Sequence, residues 1–244
     1  MLGFLNLIAL VVLVSLAVHL VNSRVVQRNR RAAEFAQERR VVEADVTRFT
    51  EELDRLHIET LSTELDTPTQ QDYQQALDAS RRASDLLGNT TASEDFAEVA
   101  RALEDGRFAM TSVVCRMGDQ EPPERRSPCF FNPMHGPSST TVTWANREGR
   151  RVPVPACPAD AERLTAGAEP DTLQVRRGNR MVPWYAGGPT YRNYVDGYYG
   201  TYAANRAFPG FLLASMMDGL WEAAVLAAPS RPSRHQPAAR PGDS

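Results

Sequence analysis

The chain has 244 residues and a formal net charge of −3. That is enough for one medium domain or two small ones, and the charge balance carries no basic excess of the kind that marks nucleic-acid binding. All 27 basic residues are arginine, a bias of base composition more than of phosphate chemistry, and three cysteines (Cys115, Cys129 and Cys157) are too few, and odd in number, for a secreted disulfide framework.

Leu2 to Val21 is an almost unbroken apolar run, interrupted by Asn6, Ser15 and His19. Its length matches the roughly 20 residues that a helix needs to cross a bilayer, so residues 1–23 are predicted to be a transmembrane anchor that meets the lipid through residues 2–21. Arg24, Arg28, Arg30 and Arg31 follow at once and no basic side chain precedes. The positive-inside rule then puts residues 24–244 in the cytoplasm and the N-terminus outside, as in a single-pass protein of the cell membrane. The rival reading, a cleaved signal peptide, lacks a basic start and an A-x-A site.

Residues 24–118 read as a helical stalk that folds into a three-helix bundle. From Ala32 to Leu65 there is no Gly or Pro, and Phe35, Val42, Val46, Phe49, Leu53 and Leu56 follow the 3.5-residue seam of a coiled coil or helical hairpin. Glu38, Glu43, Asp45, Glu51, Glu52 and Asp54 read as its solvated face. Pro68 breaks the helix, and Thr67 or Thr69 is placed to cap a second one over residues 70–87. Gly88-Asn89 stops that helix, and Ser93 caps a third over residues 94–117. Short connections make the three antiparallel.

Residues 119–128 form a Pro-rich linker, and residues 129–205 a small α+β module. "TTVTWA" and "RVPVPAC" read as two strands around the turn "NREGR", "PADAERLTAG" as a short helix, and "TLQVRRGNRMVPWY" as a second hairpin. Tyr191, Tyr194 and Tyr198 fall on one side of a helix from Thr190 onward, a packing face for a small sheet. Residues 206–228 read as an amphipathic helix suited to a protein partner or self-association, and residues 229–244 as a disordered tail.

The candidate chemistry lies in the module. Cys129 precedes the first hairpin and Cys157 ends it at the start of a helix, an order that resembles zinc-ribbon and treble-clef modules. Each C-x-x-C of those modules is reduced here to one cysteine. Cys129, His135 and Cys157 supply three zinc ligands, with Cys115 a distant fourth, at spacings unlike those of structural zinc sites. The departure favours a degenerate, metal-free module whose two cysteines pack inside. A Cys129–His135 nucleophile and base is a further reading, but no oxyanion hole marks it. Gly-rich phosphate loops, H-E-x-x-H and G-x-S-x-G do not occur, and no enzyme activity is expected.

Taken in order, "CFFNPMHGPS", "RRVPVPACPADAERLTAGAEPD" and "VPWYAGGPTYRNYVDGYYG" resemble a group of actinobacterial single-pass membrane proteins, over most of residues 70–200. The resemblance implies a membrane anchor, a helical region and this module, and brings no activity, substrate or catalytic residue. The expected function is a membrane-anchored, cytoplasm-facing scaffold for a protein partner. The alternatives are a metal-binding or thiol-reactive module at Cys129, His135 and Cys157, and an exported protein with a Cys129–Cys157 disulfide.

Overall fold

With no Gly or Pro from Phe4 to Thr60, one helix runs far longer than the rest: α1 spans Leu2–Thr60. The computed structural model describes residues 2–145 and 151–204, with the side chains of residues 2–9, 11, 12 and 204 left aside. The turn at residues 146–150, the helix expected over 206–228 and the tail at 229–244 lie outside the described residues.

The expected transmembrane anchor is corrected. Among the described residues no helix is long and apolar enough to cross a membrane. After Val21 α1 continues without a break into the arginine-rich turns that begin at Arg24. The transmembrane helix over residues 2–21, the single-pass location in the cell membrane and the outside-to-cytoplasm topology are therefore not supported.

The second half of α1 behaves as its periodicity predicts. Val42, Phe49, Leu53 and Leu56 are almost wholly buried. They pack within the chain against α2 (Thr67–Asn89) and α3 (Phe96–Met117), so the seam closes a bundle. The cap of α2 is Asp66, ahead of the expected threonines, and accepts the Thr69 N–H at 2.9 Å. Arg39, which interrupts the apolar stripe, points its guanidinium at the Leu87 and Thr90 carbonyls at the end of α2, a favourable place for a cation.

The module follows its predicted order. Strands β1 (Thr140–Ala145) and β2 (Arg151–Ala156) pair antiparallel from Thr140↔Ala156 to Ala145↔Arg151. Helix α4 (Pro158–Thr165) comes next, then the hairpin of β3 (Gln174–Arg177) and β4 (Arg180–Pro183), and last α5 (Arg192–Ala204). The segment between bundle and module is tied down: Arg125 pairs with Glu104 and Asp105 and lies over the Phe108 ring, and Ser127 is buried. One apolar core runs from α1 through α3 to the aromatic residues of the module.

Helix α5 joins the two parts, and its tyrosines do not simply cover a sheet as expected. Tyr194 and Tyr198 turn toward the bundle and both donate to Asp45 Oδ2 at 2.7 Å. Tyr199 turns to the module, stacks on Trp184 and donates to the Cys129 carbonyl at 2.7 Å. Asp45 and Glu38 are thus core residues, 0% and 1% exposed, although they read as a solvated face. Asp45 Oδ1 faces Arg107 Nη2 at 2.7 Å, and Glu38 accepts the Tyr194 N–H at the start of α5. Close approach of α3 and α5 depends on Gly197, where an added Cβ would fall 2.5 Å from Ala97 O and 2.6 Å from Ala100 Cβ.

Two outcomes follow for stability. Gly197→Ala overpacks the α3–α5 contact and should cost about 1–3 kcal/mol by urea unfolding; a variant as stable as the parent would refute the close packing. Burial raises the Glu38 carboxyl to about 7, against opposing hydrogen bonds from Tyr194, Ser93 and Asn193. A folded pKa above the unfolded one means that the proton is held more tightly in the folded state. Glu38 therefore supports the fold most at low pH, and that support is lost as pH rises through 7. Glu38→Gln keeps the acceptor without the charge, and should shrink the stability difference between pH 5 and pH 8 by on the order of 2–3 kcal/mol. Unchanged pH dependence in the variant would count against it.

Candidate metal centre

Three backbone features bring the site residues together. Ser127 and Ser138 pair backbone to backbone, Cys129 N–H donates to Gly136 O at 3.0 Å, and a 3-10 turn over Pro133–His135 returns the chain on itself. Asn132 caps that turn through Met134 N–H at 3.0 Å. Phe130 N–H then donates to Pro155 O at 2.8 Å, which sets this loop beside the end of β2. There Cys157 is the residue before α4, Pro158 opens the helix and Asp160 lies in its first turn.

The result is a cluster of Cys129, His135, Cys157 and Asp160, whose donor atoms all lie within 4.8 Å of one another. Cys129 Sγ is 3.2 Å and Cys157 Sγ 3.5 Å from Asp160 Oδ2. His135 Nδ1 is 3.0 Å from the same oxygen and 3.6 Å from Cys157 Sγ. Cys129 and Asp160 are 0% exposed and Cys157 5%. A tetrahedral ion with bonds of about 2.3 Å to sulfur and about 2.0 Å to nitrogen or oxygen separates its ligands by about 3.5 Å (S to N or O) and about 3.3 Å (N to O). These four separations lie within a few tenths of an ångström of those edges.

The surroundings favour an anion on Cys157. Asn132 and Cys157 N–H groups donate to Cys129 Sγ, and the Asp160 N–H donates to Cys157 Sγ. The hydrogen bond from Cys129 lowers the Cys157 thiol to about 5, with His135 assisting and burial opposing; the same bond, then burial, raises Cys129. One thiolate and one thiol therefore share the pocket. Burial works against charge on His135, yet Cys157 and Asp160 outweigh it and raise its pKa. Burial also opposes ionisation of Asp160, but the Asp171 N–H, at 2.8 Å from Oδ1, Cys129 and His135 hold it below the usual carboxylate range.

Asp171 also supports the histidine. Its Oδ2 lies 3.3 Å from His135 Nε2, leaving Nδ1 turned into the cluster. A carboxylate on the far ring nitrogen is the usual way to orient a ligating histidine. Behind the cysteines, Phe130, Phe131, Trp144, Trp184 and Tyr185 pack ring against ring, and Trp184 Nε1 donates to Phe130 O at 2.8 Å. On the other side a cleft of about 450 Å³ separates the module from α1 and α3, with His135, Cys157 and Asp160 on one wall and Arg48, Glu52 and Arg107 on the other.

Of the residues expected from sequence, Cys129, His135 and Cys157 meet, and Cys115, on α3, is not part of the cluster. All three cysteines are free thiols, so the alternative Cys129–Cys157 disulfide is not formed here. The fourth member, Asp160, was missed. Its signal is "CPAD", Cys157 to Asp160, a C-x-x-D where zinc modules carry C-x-x-C. No protein-family profile matches the chain, no curated protein is significantly similar to it, and no solved structure matches it.

Proposed function

We propose that the chain is a metal-binding protein in which Cys129, His135, Cys157 and Asp160 hold one divalent, thiophilic ion, zinc by preference. The observation that carries this reading is the crowding on Asp160 Oδ2. Three potential donors, two sulfurs and a ring nitrogen, converge on that one oxygen at 3.0–3.5 Å. A carboxylate offers about two lone-pair directions per oxygen, and an ionised Cys157 has no proton to give it, so that sulfur and the Asp160 oxygen meet at 3.5 Å as two acceptors. A cation at the centre satisfies all four groups together. Two sulfurs, one nitrogen and one oxygen suit zinc, whereas calcium and magnesium take oxygen.

Four protein ligands and deep burial fit a structural ion. It joins the loop around Cys129 to the start of α4, and through the Cys129 carbonyl and Tyr199 it reaches α5 and the bundle. A module with two short hairpins has little core of its own, and an ion supplies the missing cross-link. The role is then to keep a small α+β surface in one shape on a helical support.

The full chain purified without chelators should carry one zinc per molecule by elemental analysis. Cobalt substitution should give thiolate-to-metal absorption that disappears in Cys129→Ser. With free zinc at a hundredfold over its dissociation constant the stabilisation is about 2.7 kcal/mol, a rise in Tm of roughly 5–10 °C for a chain of this size. A chain that takes up no zinc or cobalt, with unchanged Tm, would rule the reading out. Asp171→Ala, which removes the carboxylate on His135 Nε2, should weaken zinc about 10–100-fold in a chelator competition without changing the cobalt spectrum's thiolate band.

A further inference from the structure

Two of the four groups in the cluster are thiols, and they are neighbours across the backbone. Cys129 and Cys157 sulfurs lie within 4.8 Å of each other, and the Cys157 N–H donates to Cys129 Sγ. Their environments differ in access. Cys157 and His135 line the cleft between the module and the bundle, while Cys129 is 0% exposed and does not line it. That cleft, at about 450 Å³, is many times the size of a peroxide molecule. A small oxidant entering it meets the Cys157 sulfur, with the second sulfur within 4.8 Å.

Resting on the metal-centre reading, we propose that the site is also a peroxide-sensitive release point: hydrogen peroxide oxidises Cys157 and Cys129 to a disulfide and the ion leaves. The Cys157 thiolate attacks one peroxide oxygen, the O–O bond breaks, and hydroxide departs, leaving a sulfenic acid on Cys157. The Cys129 sulfur, a thiolate while it holds the ion, then attacks that sulfur, the S–O bond breaks, and a second hydroxide departs as the S–S bond forms. Two thiolates lose two electrons in total, and one peroxide becomes two hydroxides. The metal keeps its oxidation state throughout. A disulfide sulfur is a poor donor, so the ion is left with His135 and Asp160, two of the four ligands that a stable tetrahedral site needs. The Cys129 sulfur being held against the Cys157 backbone favours this disulfide over further oxidation of the sulfenic acid.

The direct test uses the zinc-loaded full chain carrying Cys115→Ser, which removes the one thiol outside the cluster. Hydrogen peroxide is added in modest excess, free zinc is followed with a chromophoric chelator, and oxidised products are mapped by peptide mass spectrometry. The expected result is zinc release at least tenfold faster than in buffer alone, one zinc per Cys129–Cys157 disulfide, and re-uptake after dithiothreitol. Zinc that stays bound under peroxide overturns the inference while leaving the metal-centre reading intact. Release accompanied by sulfinic or sulfonic acid instead of the disulfide also overturns it. A chain that never loads zinc fails at the first step, and that failure belongs to the metal-centre reading.

Discussion

A guanidinium that is 1% exposed must find compensation inside the protein, and Arg107 sets that requirement at the centre of the molecule. Asp45 from α1 lies 2.7 Å from its Nη2, and Tyr198 from α5 accepts from its Nη1 at 2.8 Å. The second Asp45 oxygen takes the hydroxyls of Tyr194 and Tyr198. Burial pushes both phenols well above their usual pKa, so each keeps its proton and remains a donor. A charge pair of this kind contributes little to net stability, but removing one member leaves a bare buried charge at a cost of about 3–5 kcal/mol. It therefore acts more as a specification of register: α1, α3 and α5 can meet only where these four groups coincide.

That register carries the module with it. Tyr198 and Tyr199 are consecutive on α5, and they point to opposite partners. Tyr198 belongs to the Arg107 network, and Tyr199 donates to the carbonyl of Cys129, the first residue of the cluster. The site is thus built on two supports. Its own hairpin and α4 bring the four groups together, and α5 fixes the loop against the bundle. The cleft is lined from both parts, by Arg48 and Glu52 of α1, Arg107 and Thr111 of α3, and His135 and Cys157 of the module.

Much of the fold could be read from the chain. The hairpin of β1 and β2, the start of α4 at Pro158 and the seam from Val42 to Leu56 all follow from alternation, a proline and heptad spacing, which are local properties. The buried acids could not be read in the same way. Phe35, Glu38, Val42, Asp45 and Phe49 follow the steps of the seam, yet a charge on a helix normally faces water, and nothing nearby in sequence names its partner. Arg107 is 62 residues from Asp45, and Tyr194 is 149. The membrane span was the opposite case: hydropathy over residues 2–21 predicted one, while the described helix is not long and apolar enough to cross.

The sequence by itself determined the order of elements, the placement of two cysteines at the ends of a hairpin and the histidine between them. Those facts come from spacing and from residue type. Only the tertiary structure decided that they form a site. It took the loop folding back at Gly136, the pairing of Phe130 with Pro155 and the first turn of α4 to bring a fourth donor, Asp160, to the same point. An aspartate three residues after a cysteine is common and carries no meaning until its carboxylate is seen buried among sulfur and nitrogen. Metal chemistry depends on distances of a few ångströms, and the chain sets those only when its distant segments pack.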